Sequence, residues 1–323
     1  MERRKLGSEG PEITTIGFGC WAMGGEGRGD AGGWGPQDDQ DSIDAIHTAL
    51  DAGVSWFDTA AVYGLGHSEE VLGKALGARR KDVFVATKFG LVWDEGGHLT
   101  NLASYDSIKR ECDASLKRLG TDYIDLYQQH WPDNVGTPVE ESMRALDDLI
   151  KEGKVRYAGV SNFDVELLRR AQSVRHVDSL QPQYSLFHRE VEAEILPYCQ
   201  ENGIGVVAYS PLASGLLGGN YTPDKTFPAG DWRATHPDYT GEGLRRNVAR
   251  VDRLKKIAQR FDKTVPQLAV AWVLAHPAVT SAIVGIRRPA HLEGILPAAD
   301  WHLDRDTLAE IENVMAEETV ATS

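Results

Sequence analysis

The chain has 323 residues, with 34 Lys and Arg against 48 Asp and Glu and a formal charge of −14. Hydrophobic residues at 41% and charged residues at 25% describe an ordinary globular composition, which excludes intrinsic disorder and fibrous repeats. The acidic balance excludes a surface that coats nucleic acid, while leaving room for a local basic pocket.

Residues 1–13 are polar with a Gly/Pro turn, and they predict a small N-terminal β-hairpin that plugs the floor of whatever follows. From there the chain alternates. Short β-branched or aromatic runs occur at TTIGFG (14–19), VSWFDTA (from 54), DVFVATK (from 82) and DYIDLYQQH (from 122). KVRYAGVSN (from 154), SLQPQYS (from 179), GIGVVAYS (from 203) and VTSAIVG (from 279) continue the series. Each run is bounded by Gly, Asn or Asp and is continuous enough to be buried on both faces, as parallel strands are. Between them lie segments with apolar spacing near 3.6. DSIDAIHTALDAG places Ile43, Ile46, Ala49 and Leu50 on one face and stops at Gly53. SYDSIKRECDASLKRLG opens with Ser104 as N-cap and closes on Gly120, and VEESMRALDDLIKEG and VPQLAVAWVLAH have the same character. Residues 211–245 show no periodicity, and loops of that length tend to be functional lids. The tail EETVATS is expected to fray.

Eight strands each followed by a helix predict a single α/β domain over 1–323, a closed (β/α)8 TIM barrel with a long loop after strand seven. GFGCWAMGG lacks the early G-x-G-x-x-G spacing of a doubly wound sheet. No apolar run reaches the ~18 residues of a spanning helix, and MERRKLGSEG leads into no secretory core, so neither membrane attachment nor secretion is expected. Cys20, Cys112 and Cys199 are odd in number and widely spaced, which points to a reducing, cytoplasmic compartment without disulfides. His130 and Asp133 are two isolated ligand types and make no metal set.

Barrels of this kind build their active sites at the C-terminal strand ends. Asp58 ends the second strand, Tyr63 lies in the loop after it, Lys88 ends the third and His130 the fourth. Neighbouring parallel strands lie about 4.8 Å apart, so these rims can meet. Together the four suit carbonyl reduction, which creates an alkoxide that needs a proton. Tyr63 would supply it as general acid, Lys88 would pull its pKa down, Asp58 would keep Lys88 charged, and a neutral His130 would polarise the substrate oxygen. Read singly, each has a structural role open to it: Asp58 as a helix cap, Lys88 as a rim lysine, Tyr63 and His130 as packing residues.

FDTAAVYGLGHSEEVLGKAL, VATKFGL, DYIDLYQQHWPD, GVSNF and AYSPLASGLL together resemble the aldo-keto reductases, over nearly the whole chain. The pattern is most similar to the bacterial branch with a long lid after strand seven. The resemblance implies a (β/α)8 barrel, NADPH as usual cofactor with NADH the lesser alternative, and a catalytic tetrad at Asp58, Tyr63, Lys88 and His130. It also implies that Ser161, Asn162 and Gln181 bond the nicotinamide carboxamide and that Tyr209 stacks on its ring. Ser210, Pro211, Leu212, Ser214 and Gly215 would line the pyrophosphate. Gly19, Cys20 and Trp21 stand at the first strand end, where the family contacts cofactor and substrate.

Gly285, Arg287 and Arg288 follow the eighth strand, where many barrels bind phosphate, before a helix starting near Pro289. The arginine pair favours the 2′-phosphate of NADPH. Arg233 in the lid would reach a phosphate as well. One stretch departs from the family: Gln or Arg, then Glu and Asn are usual, and here His291, Leu292, Glu293, Gly294 and Ile295 follow. The adenine-side contacts are missing at Gly294 and Ile295, and His291 is left to supply a polar contact. Trp21, Trp93 and Trp131, with Tyr63 and His130, would form the substrate wall, suited to aldehydes, ketones or sugar faces. The expected partner is a small carbonyl compound; nothing in the sequence bears on oligomeric state. The alternatives are a nucleotide-sensing regulatory protein of the same fold, or a glycosidase, for which a lysine-paired Asp58 is poorly suited.

Overall fold

The computed structural model describes residues 1–228 and 230–316; the tail expected to fray, 317–323, lies outside them. The chain opens with β1 (Arg3–Lys5) and β2 (Glu12–Thr14), an antiparallel hairpin. Then come β3 (Ile16–Gly19), β4 (Trp56–Asp58) and β5 (Phe84–Phe89). A second hairpin, β6 (Leu91–Trp93) and β7 (Leu99–Asn101), is followed by β8 (Ile124–Gln129), β9 (Val155–Ser161), β10 (Ser179–Gln181), β11 (Gly205–Ala208) and β12 (Val279–Gly285). Strands β3, β4, β5, β8, β9, β10, β11 and β12 pair in that order, and β12 returns to β3 through Gly285 beside Gly19. Each of these pairings is parallel, so the sheet is a closed eight-stranded barrel. It is the (β/α)8 TIM barrel that the alternation predicts.

The helices on the outside are α1 (Asp39–Asp51), α2 (His67–Leu76), α3 (Tyr105–Leu119), α4 (Val139–Lys151) and α5 (Val165–Gln172). They continue with α6 (Ile195–Glu201), α7 (Gly241–Gln259), α8 (Val265–Ala275), α9 (Pro289–Ile295) and α10 (Arg305–Ala316). Helix α1 starts two residues before the expected segment because Asp38 caps it, accepting from the Gln40 amide at 2.7 Å. Ser104 stands at the N-cap of α3 but its hydroxyl makes no capping bond; the Glu141 carboxylate takes the Tyr105 amide instead. Helix α8 carries a capping box between Thr264 and Gln267.

Two apolar layers result. One lies between strands and helices. The other fills the barrel, with Trp56, Phe84, Ala86, Leu126, Val207 and Ile283 meeting Leu6 and Ile13 of the N-terminal hairpin. The hairpin therefore plugs the floor as expected. Trp56 crosses the interior and donates to Thr14 O and Ser281 Oγ, each at 3.1 Å. A Cβ at Gly17 would stand 2.2 Å from its ring, so glycine is what lets the indole lie there.

The 211–245 connection is less irregular than expected. Short 3-10 turns at Ala213–Gly218, Trp232–Ala234 and Pro237–Tyr239 punctuate it, and α7 begins inside it at Gly241. Among the described residues no helix is long and apolar enough to cross a membrane.

Candidate active site

A cavity of about 540 Å³ opens at the C-terminal ends of the barrel strands, within the range of small-molecule sites. Asp58 is the last residue of β4, Lys88 the penultimate residue of β5, and His130 follows β8 directly. Tyr63 opens a tight turn, Tyr63–Gly66, between β4 and α2. The turn is braced from behind. Glu69 is fully buried, accepting from Thr87 Oγ1 at 2.6 Å and from Arg118 Nε at 2.6 Å. Arg118 passes beneath Gly66, where φ is +106° and a Cβ would lie 2.7 Å from its Cδ. The Glu69 network thus ties the Tyr63 turn to the strand that carries Lys88.

The four residues singled out from the strand ends converge. Lys88 Nζ donates to Asp58 Oδ1 at 2.6 Å, to Thr59 O at 2.9 Å and to Tyr63 Oη at 3.1 Å. Both Lys88 and Asp58 are buried. Asp58 Oδ2 accepts from Gln181 Nε2 at 2.8 Å and Gln128 Nε2 at 3.4 Å, so its charge is shared among three donors. The His130 ring stands edge-on to Tyr63, with centroids 5.6 Å apart. Asp58, Tyr63 and His130 line the cavity; Lys88 sits behind them.

Burial alone would strip Lys88 of its proton, yet Asp58, and Tyr63 beside it, hold the ammonium above its usual pKa. His130 is driven well below the ordinary imidazole value by burial and by Lys88, and is neutral at pH 7. Tyr63 corrects one expectation. Lys88 does pull its pKa down, but burial outweighs that pull and the hydroxyl sits above its usual value. The phenol is therefore protonated across the neutral range.

On the β9–β11 side, Ser161 Oγ donates to Gln181 O at 2.7 Å, Asn162 Nδ2 donates to His130 O at 3.1 Å, and Tyr209 Oη donates to Asn162 Oδ1 at 3.0 Å. Ser161, Asn162, Gln181 and Tyr209 all line the cavity. Beyond them the backbone is strained: Ser210, Ala213 and Ser214 hold positive φ of 54°, 46° and 49°, ahead of Gly215 at 93°. Such residues cost about 1–3 kcal/mol each and persist where the surroundings force them. Here the long connection does the forcing. Tyr239 Oη donates to Ala213 O at 2.9 Å, and Tyr221 Oη and Arg233 Nη1 donate to Ser214 O at 3.0 and 3.1 Å. Ser210, Pro211, Leu212, Ser214 and Gly215 all face the cavity, and Gly285, Arg287 and His291 close that end.

Four expected contacts lie elsewhere. Cys20 is fully buried beneath the wall, its thiol directed to Phe18 O; its neighbours Gly19 and Trp21 do line the cavity. Arg233 serves the lid rather than the cavity, paired with Asp231 and lodged between the rings of Trp34 and Phe227 at 4.7 and 4.6 Å. The arginine pair splits. Arg287 lines the cavity, while exposed Arg288 turns away and donates to His291 Nε2 at 3.2 Å. His291 can accept that bond because burial and both arginines lower its pKa. Trp93 is not part of the cavity wall but packs behind the Ala31, Val62 and Leu91 cluster that lines it, whereas Trp131 stands on its rim. Helix α9 is only seven residues long; Gly294 is exposed, with its carbonyl accepting from Gln267 Nε2, and Ile295 is buried. The Asp133 carboxylate is taken up by the amides of Ala103, Val135, Gly136 and Thr137.

The sequence reading missed several wall residues: Trp34, Val62, Leu91 and Leu99, which complete an apolar pocket with Trp21 and Trp131. They sit in loops and the β6–β7 hairpin, where no periodicity marks them. Gln128 had a usable signal, because two adjacent buried glutamines at the end of a strand need partners.

The aldo/keto reductase family model matches residues 15–316 of the chain. The chain belongs to the aldo/keto reductase family. It is 39% identical to the aldo-keto reductase YhdN of Bacillus subtilis, over 99% of this chain and 95% of that one. It is 36% identical to the NADH-specific methylglyoxal reductase of Escherichia coli, over 98% and 99% of the two chains. Among solved structures, the glycerol dehydrogenase AKR11B4 from Gluconobacter oxydans superposes with a TM-score of 0.89 at 36% identity, covering 97% of this chain and 94% of its own. The family comprises oxidoreductases acting on carbonyls with nicotinamide cofactors, and relatives named for NADH and for NADP(+) both occur. The cavity fits such a cofactor: an amide-rich wall and Tyr209 stand near Tyr63 and His130, and a strained backbone loop leads to an arginine at the far end.

Proposed function

We propose that the protein is an NADPH-dependent reductase of aldehydes and ketones, with Tyr63 as the general acid. The observation that carries this reading is Lys88, which donates to Asp58 and Tyr63 at once in a buried site opening on the cavity. A nicotinamide held in this cavity would supply the hydride. The protein's part is to hold the carbonyl oxygen between Tyr63 Oη and the neutral imidazole of His130, and to deliver a proton as negative charge develops there. Because Lys88 already donates to Tyr63 Oη, the phenolic proton is turned away from the lysine and is free for the substrate. The positive charge of Lys88, fixed by Asp58, stabilises the phenolate left after transfer.

Ser161, Asn162 and Gln181 supply the donors and acceptors that a carboxamide needs, Tyr209 the ring to stack on it, and the 210–215 loop the path for the pyrophosphate. Arg287 supports a preference for the 2′-phosphate. Among the described residues, Trp21, Trp34, Val62, Leu91, Leu99 and Trp131 give this part of the cavity an uncharged wall, which favours uncharged carbonyl compounds, sugar-derived ones included, over carboxylates. The unpaired, buried cysteines support a cytoplasmic setting.

The test is a tryptophan-fluorescence titration with NADPH and NADH followed by an aromatic aldehyde. Tight binding with oxidation of the nucleotide is the expected result. Binding without oxidation of any carbonyl offered would turn the reading toward a nucleotide sensor, and no binding would overturn it.

A further inference from the structure

Arg287, the cation at the nucleotide end of the cavity, is gripped from outside the strand-end loop that carries it. Its Nε donates to Gln37 Oε1 at 2.7 Å and its Nη2 to Pro36 O. Gln37 closes the loop by donating from Nε2 back to Arg287 O at 2.8 Å. The same amide reaches Ser42 Oγ at 3.1 Å, which anchors it to the first turn of α1. A guanidinium offers two bidentate edges, one formed by Nε and Nη2 and one by Nη1 and Nη2. Gln37 and Pro36 occupy the first, and no bond from Nη1 to a described residue competes for the second. A free arginine on a loop would lose side-chain entropy on meeting an anion; this one has lost it already.

We infer that Gln37 is a specificity-determining residue: it clips Arg287 by its side edge and turns the end edge toward the cavity, so that recognition of a cofactor 2′-phosphate depends on a residue 250 positions away in sequence. The inference rests on the NADPH reading above. Gln37 does not touch the nucleotide. It acts through Arg287 and is a positioning residue. The neighbouring Arg288 cannot take over, because it is exposed, outside the cavity wall and bonded to His291.

The test compares wild type, Gln37→Met, Gln37→Glu, Arg287→Leu and the Gln37→Met/Arg287→Leu double variant. Dissociation constants are measured for NADPH, NADH and adenosine 2′,5′-bisphosphate, the last a probe that needs no turnover. Gln37→Met should weaken NADPH and the bisphosphate about tenfold, in line with one charge-assisted contact, and leave NADH unaffected. The loss should appear in KM for NADPH and not in kcat. Gln37→Glu keeps the acceptor for Arg287 Nε but loses the donor to Arg287 O, and its negative charge offsets that of the guanidinium; it should weaken the same two ligands at least as much. The double variant should bind NADPH no worse than Arg287→Leu, since both changes remove one contact. Equal losses for NADPH and NADH, no loss, or additive losses in the double variant would overturn the inference while leaving an NADPH-dependent reductase intact. A wild type that binds NADH as tightly as NADPH would defeat the cofactor reading itself, and this inference with it.

Discussion

Lys88 stands 3.1 Å from the hydroxyl oxygen of Tyr63 and is the donor in that bond. An ammonium has no lone pair, so the phenolic proton must point elsewhere, and the direction left is the cavity beside His130. The pair is therefore built to give a proton rather than to take one at neutral pH.

Replacing Tyr63 by Phe removes the proposed acid and leaves the ring. We expect kcat for aldehyde reduction to fall by about 10²–10⁴-fold, the usual contribution of a general acid, with nucleotide binding intact. Steady-state turnover beside a fluorescence titration checks this, and unchanged turnover would remove Tyr63 from its role.

The pH profile follows from two opposite shifts. Tyr63 lies above the ordinary tyrosine value because burial outweighs Lys88. The proposed reduction uses the protonated phenol, so the rate should hold through the neutral range and fall only as pH rises beyond about 10. His130 lies well below 6.5 through burial and Lys88, so its imidazole should impose no loss of rate between pH 8 and pH 6. A kcat profile that declines across that acid interval in wild type but not in His130→Gln would contradict the neutral assignment.

The Asp58–Lys88 pair should behave as a unit in stability. Breaking a buried pair from one side leaves an uncompensated charge and costs about 3–5 kcal/mol, so Asp58→Asn and Lys88→Met should each be strongly destabilised. The double variant should lose much less than the sum. Urea unfolding of all four proteins measures the coupling, and additive losses would mean the charges are solvated in the fold.

Glu111 on α3 carries a different charge problem. Its carboxylate accepts from the Gly90 amide and the Ser107 hydroxyl at 2.9 and 3.1 Å, but burial raises its pKa from 4.5 to about 7. The folded state then binds the proton more tightly than the unfolded chain. That contribution to stability is complete below pH 4.5 and is lost as pH rises to about 7. At about 1.4 kcal/mol per pH unit it amounts to roughly 3 kcal/mol. Glu111→Gln should match wild type near pH 5 and exceed it at pH 8. Unfolding curves at the two values decide the matter, and a constant difference between the proteins would rule out Glu111 as the titrating group.

Much of this molecule was written locally. Alternating apolar runs and 3.6-spaced segments specify strands and helices one at a time, and the right-handed, adjacent connection of parallel strands leaves a closed barrel as their common solution. The chemistry-bearing side chains could be found the same way, because Asp58, Lys88 and His130 stand at the ends of their own strands and Tyr63 just after one. What the linear order could not carry was every relationship between loops. Trp34 and Leu99 reach the cavity wall from segments with no period, Arg233 is drawn off to the lid by Asp231 and two aromatic rings, and Arg288 is turned outward onto His291. The net direction of the Tyr63 shift also waited on the fold, since it depends on how much burial opposes one nearby charge. Short-range pattern determines which elements form; desolvation and loop-to-loop hydrogen bonds such as Gln37 to Arg287 arise only when distant segments are packed against each other.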